Sequence, residues 1–220
     1  MSLLLHAITT PADAPAAATV CLNVGGMTAW YTALPTDTGP FTKEDMLEHH
    51  RVVSQIFNRV DACLPARFPT LVADEDELRS QLEAKADVLA AQLGVVRGAC
   101  EIAVTAVWTV EPADDQLEAV PPGRRYLLRR ASSERRRQRA DQLADSLEQA
   151  AGQDVLQARR RVCPSAQVAL SLALLLRRTT ADNVRERLGR DLGGDVRILV
   201  NGPWAPYTFA DARPIASRET

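Results

Sequence analysis

Residues 99–110, ACEIAVTAVWTV, alternate apolar side chains with small or polar ones and are rich in β-branched residues. This period of two predicts a β-strand. The segments after it predict, in order, a long helix, two strands, a second helix and a last strand, over residues 123–151, 155–163, 167–177, 180–192 and 196–202. The resulting order, β-α-β-β-α-β with 167–177 as a central strand, is that of a ferredoxin-like domain.

The first part of the chain also mixes strands and helices. Three short apolar runs predict strands over 3–8, 18–24 and 28–34, and Gly25-Gly26 supplies a hairpin turn between the last two. Helices are predicted over 43–61, with Thr42 and Asp45 as a capping box, and over 74–93, closed by Gly94. Between them, Pro65 and Pro69 allow only an edge strand or a broken one.

We therefore predict an α+β protein of two small domains. The N-terminal α+β domain covers 1–97, the C-terminal ferredoxin-like domain covers 98–210, and 211–220 form a polar tail.

Composition excludes several classes of protein. Hydrophobic residues make up 46% and charged residues 25% of the 220 residues, which is typical of a folded globular protein. A net charge of -2 gives no overall attraction to nucleic acid or membranes. The apolar run at the N-terminus is too short for a signal peptide, and no later run is long enough to span a membrane, so a cytoplasmic protein is expected.

The usual chemical motifs are missing from the sequence. The four cysteines are far apart and have no histidine near them, which argues against a zinc site or a disulfide framework. His49 and His50 point to different helix faces and only His6 remains elsewhere, so structural histidines are expected. Ser132-Ser133 has no histidine near it, and Gly25-Gly26 lacks phosphate-loop spacing. We predict no catalytic residue, no metal, no cofactor and no small-molecule substrate.

A ferredoxin-like sheet can bind RNA when its central strands expose aromatic residues. Here the candidate central strands contain a single aromatic residue, Trp108, so no nucleic-acid partner is predicted.

The long helix has an unusual distribution of charge. Eight arginines crowd its first half and acidic residues occupy the second, an order that opposes the helix macrodipole. Leu127, Ala131, Leu143 and Leu147 are expected to face the sheet. One interpretation of the arginines is a solvated face whose arginine stems cover the sheet edge. The other is a basic patch that binds an acidic protein surface, for which the candidate residues are Arg135, Arg136 and Arg139.

Several segments together resemble the gas vesicle protein family GvpL/GvpF. These are HHRVVSQIFNRVDACLPARFPTLVADEDELRSQL, GACEIAVTAVW, GRRYLLRRASSERRR and, near the end, NGPWAPYTFAD, which resembles the family's GPWPPYSF signature. The likeness extends from about residue 43 to 211. Pro69 and Ala205 depart from the family pattern, which usually has glycine and proline there.

The resemblance implies a non-enzymatic accessory protein of gas vesicle assembly. Its implied partners are the small hydrophobic shell protein, whose incorporation it would support, and other gas vesicle accessory proteins. Its implied place is the cytosol or the vesicle surface. Strand addition at an open sheet edge is one way to mask the apolar edges of a shell subunit.

Two other functions stay open at this point. A member of the family in a cell without gas vesicles could act as an interaction module in another assembly. An enzyme could use Arg67, Glu101 and Asp74 in a cleft between domains, although ion pairing explains these residues more simply.

Residues 201–211, NGPWAPYTFAD, concentrate aromatic residues directly after the last predicted strand. Their prolines restrict the backbone, so Trp204, Tyr207 and Phe209 should be held in fixed positions. We expect these rings to fold back and fasten the two domains together. The alternative is that they form a patch that binds a partner.

Overall fold

The computed structural model describes residues 2–12, 19–35, 39–109, 121–162, 168–189 and 196–210. The strands are β1 (Ser2–Thr9), β2 (Val20–Val24), β3 (Met27–Leu34), β4 (Cys63–Val72), β5 (Ala99–Trp108), β6 (Val155–Val162), β7 (Val168–Arg177) and β8 (Val196–Trp204). The helices are α1 (Lys43–Phe57), α2 (Glu75–Ala84), α3 (Ala86–Val95), α4 (Pro122–Ala151) and α5 (Ala181–Leu188). The predicted tail 211–220, Cys163 and the predicted helix end at 190–192 lie outside the described residues.

The chain divides into two units. The first unit consists of the chain up to Glu101 together with the segment that begins at Trp204. The second unit is Ile102–Pro203. Each unit has a four-stranded sheet at its centre, with strand orders β2-β3-β1-β4 and β6-β7-β5-β8. The predicted α+β class is confirmed, whereas the predicted domain boundaries stay a prediction.

The hairpin β2–β3 has the predicted two-glycine turn. Val24 pairs with Met27, so only Gly25 and Gly26 form the loop. Both have positive φ, 56° and 78°, the combination that a type I′ turn needs and that glycine adopts without strain.

Strand β4 is both an edge strand and a broken one, as its prolines predicted. It lies at the end of the first sheet. Its pairing with β1 is interrupted, because Leu5 pairs with Thr70 while Ala7 already pairs with Pro65. The residues skipped on β4 include Pro69, which has no N–H to donate.

The prediction of a single helix over 74–93 is wrong in one respect, because this segment forms two helices, α2 and α3. Asp74 caps α2 by accepting the Glu77 N–H at 2.8 Å, but the chain leaves helical geometry at Lys85, which has φ -122° and ψ 15°. Alanine and lysine are good helix formers, so nothing local marks this break. Gly94 is not the C-cap either, since it lies inside α3, which ends at Val95. The leucine stripe nevertheless spans both helices and is buried: Leu78, Leu82, Leu89 and Leu93.

The second sheet has the predicted element order. Strand β7 lies between β5 and β6, the two strands that α4 connects, and β6 and β8 are the edges. Leucines at every second position of β7 are fully buried, which confirms that it is a central strand: Leu170, Leu172, Leu174 and Leu176. The ferredoxin-like assignment agrees with this order and stays a prediction.

Two of the three histidines form a buried pair in the first unit. His49 is 3% exposed, and its Nε2 lies 3.0 Å from the Ala66 carbonyl oxygen. A carbonyl can only accept, so Nε2 carries a proton; because burial lowers the pKa of His49, the ring is neutral at neutral pH and its Nδ1 has a lone pair. The His6 Nδ1–H donates to that lone pair at 3.0 Å, and His6 Nε2 accepts from the Thr32 hydroxyl at 2.9 Å. Both rings are neutral at neutral pH because burial lowers the pKa of each, and the buried, hydrogen-bonded position of His49 agrees with a structural histidine.

Burial and the neighbouring His49 lower the pKa of His6 from its usual 6.5 to about 4, and burial also lowers the pKa of His49. Below pH 6.5 the unfolded chain binds protons that the folded chain does not. The free energy of unfolding should therefore fall as the pH drops from about 6.5 to about 4, by up to about 3 kcal/mol for His6. Urea titrations across this pH range measure it.

The variant His6→Gln should lose part of this pH dependence, while His50→Gln, at an exposed position, should keep it. Equal slopes in the His6→Gln variant and the unchanged protein would contradict the assignment.

Candidate interaction surfaces

Residues 204–210, called the aromatic return here, carry the chain from the end of β8 into the first unit. Phe209 is 5% exposed, and Ala205 and Ala210 are also buried. Trp204 and Tyr207 are half-buried. The return is thus packed as part of a folded unit, with two of its three rings still accessible in part.

A buried carboxylate holds the aromatic return in place. Glu101, near the start of β5, is only 4% exposed. Its two oxygens accept the main-chain N–H of Thr208 at 2.7 Å and the Thr208 hydroxyl at 2.6 Å. Hydrogen bonds to a charged acceptor are among the strong ones in proteins, and they repay part of the cost of burying the charge. Sequence reasoning noted Glu101 but could not pair it with a residue 107 positions away.

The ring of Tyr207 stacks on His50, with 6.2 Å between ring centroids and 29° between planes. Burial is the main cause that raises the pKa of Tyr207, with smaller effects of Cys63 and Glu101. The phenol therefore stays neutral and can offer a partner only an ordinary O–H. A partner-binding role of Trp204, Tyr207 and Phe209 stays a prediction, and Phe209 has the least accessible surface of the three.

The structure describes all three residues that were considered as catalytic candidates. Asp74 caps α2, Glu101 binds Thr208, and Arg67 is exposed on β4. The first two side chains are thus explained by helix capping and by the anchoring of the aromatic return.

Residues 123–139 of α4 form what we call the arginine arm. None of these side chains is buried, and Ala140 is the first buried residue of the helix among those described. Beyond it, Ala144, Leu147 and Ala151 are buried at helical spacing. The expectation that Leu127 and Ala131 face the sheet is wrong, because Leu127 is 64% exposed and Ala131 is exposed too.

The composition of one helix face explains why the arm has no buried side chain. The face that carries Ala140, Ala144 and Leu147 continues toward the N-terminus with residues at the same helical spacing, namely Arg125, Arg129, Ser132 and Arg136. These side chains cannot be buried without a large desolvation cost. The hydrophobic face therefore stops at Ala140, and none of the described side chains that precede it in α4 is buried.

The arm carries eight arginines and a single acidic residue, Glu134. Arg125 and Arg129, like Arg135 and Arg139, are four positions apart, and each such like-charged pair destabilises a helix by about 0.2–0.5 kcal/mol. Of the predicted partner-binding arginines, Arg135 and Arg139 are exposed and Arg136 is half-buried. The Arg139 guanidinium lies 5.4 Å from the centre of the Trp108 ring. The structure thus brings the three together on one exposed helix segment, and their role in binding stays a prediction.

Near the end of the arm, α4 is tied to the edge strand β6. Arg160 donates to Asp145 at 2.6 Å. A concavity of about 410 Å³ is lined by Arg137, Asp141, Arg160 and Val162. One arginine of β6 is thus paired with an acidic residue from the second half of α4.

In the described part of the chain, no helix is long and apolar enough to cross a membrane. The same residues contain no group of three or more histidine, cysteine, aspartate or glutamate side chains that could hold a metal ion.

Replacing Glu101 tests the anchor of the aromatic return. Glu101→Gln removes the charge, so the main-chain N–H and the hydroxyl of Thr208 would bond to a neutral amide and lose the extra strength of hydrogen bonds to a carboxylate. We expect the free energy of unfolding to fall by about 1–3 kcal/mol, measured by urea unfolding. Thr208→Val, which removes only the hydroxyl donor, should cost about 1 kcal/mol. An unchanged stability of Glu101→Gln would show that the carboxylate does not hold the return.

Comparisons with known proteins agree with this architecture. The family model described as "Gas vesicle synthesis protein GvpL/GvpF" matches residues 7–211. The crystal structure of the gas vesicle protein GvpF from Anabaena sp. PCC7120 superposes with a TM-score of 0.79 at 16% sequence identity, over 96% of both chains. The GvpF structure from Microcystis aeruginosa gives a TM-score of 0.74 at 16% identity, over 96% of this chain and 99% of that one. No curated protein sequence is similar enough to count as a match.

At this identity the two structures show a shared fold, and the family model, which covers most of the chain, shows the family. The protein belongs to the GvpL/GvpF family of gas vesicle synthesis proteins.

Proposed function

We propose that the protein is a non-enzymatic accessory protein of gas vesicle assembly that binds the small hydrophobic shell protein and supports its incorporation. The family match over residues 7–211 is the observation that carries this proposal. Its partners would be the shell protein and other gas vesicle accessory proteins. Its place would be the cytoplasm, including the surface of the growing vesicle.

Strand β8 is the sheet edge best suited to a hydrophobic partner. It ends the second sheet, so in the described part of the chain no further strand pairs with its outer side, where a partner strand could be added. Val196, Ile198 and Val200 are half-buried, and Leu199 is 38% exposed. A strand of the shell subunit that paired here would place apolar side chains against these residues while its own edge was covered.

The opposite edge of the same sheet has different chemistry. Strand β6 carries Arg159, Arg160 and Arg161 in succession, and its six central residues are exposed. Charged side chains on an edge strand discourage pairing with apolar strands. β6 is thus the more strongly charged edge, with three arginines against the single Arg197 of β8, and β8 is the edge we assign to the shell protein.

A matched pair of substitutions tests this assignment. Leu199 and Leu156 are exposed to similar extents, 38% and 41%, on the two edge strands of one sheet. Leu199→Lys should reduce co-purification of the shell protein severalfold, because the lysine charge would lie against an apolar strand of the shell protein. Leu156→Lys should leave the amount of co-purified shell protein unchanged. Neither change should alter stability by more than about 0.5 kcal/mol, since both sites are at the surface. Co-expression with the shell protein in a reconstituted gene cluster, followed by affinity purification, measures this.

If the unchanged protein did not associate with the shell protein in that cluster, the proposed function itself would be wrong. If both lysine variants bound normally, the function would stand and only the assignment to β8 would fail.

A further inference from the structure

We propose that the arginine arm is a docking surface for an acidic, amphipathic segment of a protein partner. This inference goes beyond the proposed function, which places the shell protein on β8, and it does not depend on it. The arm is exposed, is rich in arginine and has apolar residues near its start.

The described fold leaves the arm available to a partner. The buried face of α4 begins only at Ala140, so the arm presents most of its circumference to solvent. At about 1.5 Å per residue, its 17 residues form a rod of about 25 Å. This length matches several turns of a partner helix.

Charge identifies the chemistry of the partner. Eight of the 17 residues of the arm are arginines, and Glu134 is the one acidic residue within it. Their mutual repulsion is relieved when carboxylates approach, and guanidinium groups bind carboxylates through two parallel hydrogen bonds. An acidic segment would therefore gain affinity from the same charges that destabilise the isolated helix.

Apolar residues within the arm favour a protein over a nucleic acid. Tyr126 is 62% exposed, Leu127 64% and Leu128 38%, and all three lie between arginines. Tyrosine and arginine are enriched where protein interfaces concentrate their binding energy. A segment with carboxylates on one face and leucines on another could contact both the arginines and the apolar residues of the arm.

Three synthetic probes distinguish the alternatives. The first is an 18-residue helical peptide with glutamates on one face and leucines on the other. The second has the same glutamates with serines in place of the leucines, and the third is a short DNA duplex. In calorimetric titrations of the full chain, we expect the first peptide to bind at least about tenfold more tightly than the other two. Failure to bind the first peptide, or tighter binding of the duplex, would overturn the proposal.

Substitutions locate the binding site. Arg129→Gln combined with Arg130→Gln should weaken binding of both peptides severalfold, and Leu127→Ser should weaken only the leucine-containing one. The control is Arg177→Gln combined with Arg197→Gln, which removes the same charge at exposed positions outside the arm and should change little. Circular dichroism shows whether each variant keeps its helix content. Equal weakening by the arm and control variants would mean that overall charge, and not the arm, governs binding.

Discussion

The carboxylate of Glu101 is the constraint on which much of this structure depends. It is buried near the start of β5, and it accepts two hydrogen bonds from Thr208. Strand β5 begins in the first unit and continues into the second, and the chain re-enters the first unit at Trp204. The Glu101–Thr208 pair therefore ties the last described segment of the chain to the unit that it left about a hundred residues earlier. Because a buried charge without partners is very unfavourable, the aromatic return has one strongly favoured position.

In the second unit, the two halves of helix α4 differ in burial and in composition. The second half of α4 supplies the buried residues Ala140, Ala144 and Leu147, and its first half supplies arginines with no buried side chain. The edges of the sheet differ in the same way, with three arginines on β6 and apolar residues on β8. One unit thus combines a basic helix segment, an edge strand with three arginines and an edge strand that is mostly apolar.

The fold is shared with GvpF proteins despite 16% identity, at TM-scores of 0.79 and 0.74. This is expected where the core needs apolar residues of suitable size at the right period more than particular side chains. In this chain the alternating leucines of β7 and the leucine stripe of α2 and α3 meet that requirement.

The sequence by itself determined the features that depend on residues close together in the chain. These include the glycine hairpin at 25–26, the capping box of Thr42 and Asp45, the interruption of β4 by prolines, and the element order of the second sheet. The motif at 201–211 also indicated the family, since a specific run of residues can be recognised without knowing its contacts. Each of these rests on turn chemistry, capping or hydrophobic period, which act over a few residues.

Only the tertiary structure decided which distant residues meet and which surfaces stay exposed. His6 contacts His49 across 43 positions, and Glu101 meets Thr208 across 107. The break at Lys85 has no local breaker, and Leu127 is exposed although its position in an amphipathic pattern suggested a buried side chain. The physical reason is the same in each case: burial and long-range hydrogen bonds depend on what packs against a residue, and a helical or strand period identifies a face without identifying its neighbour.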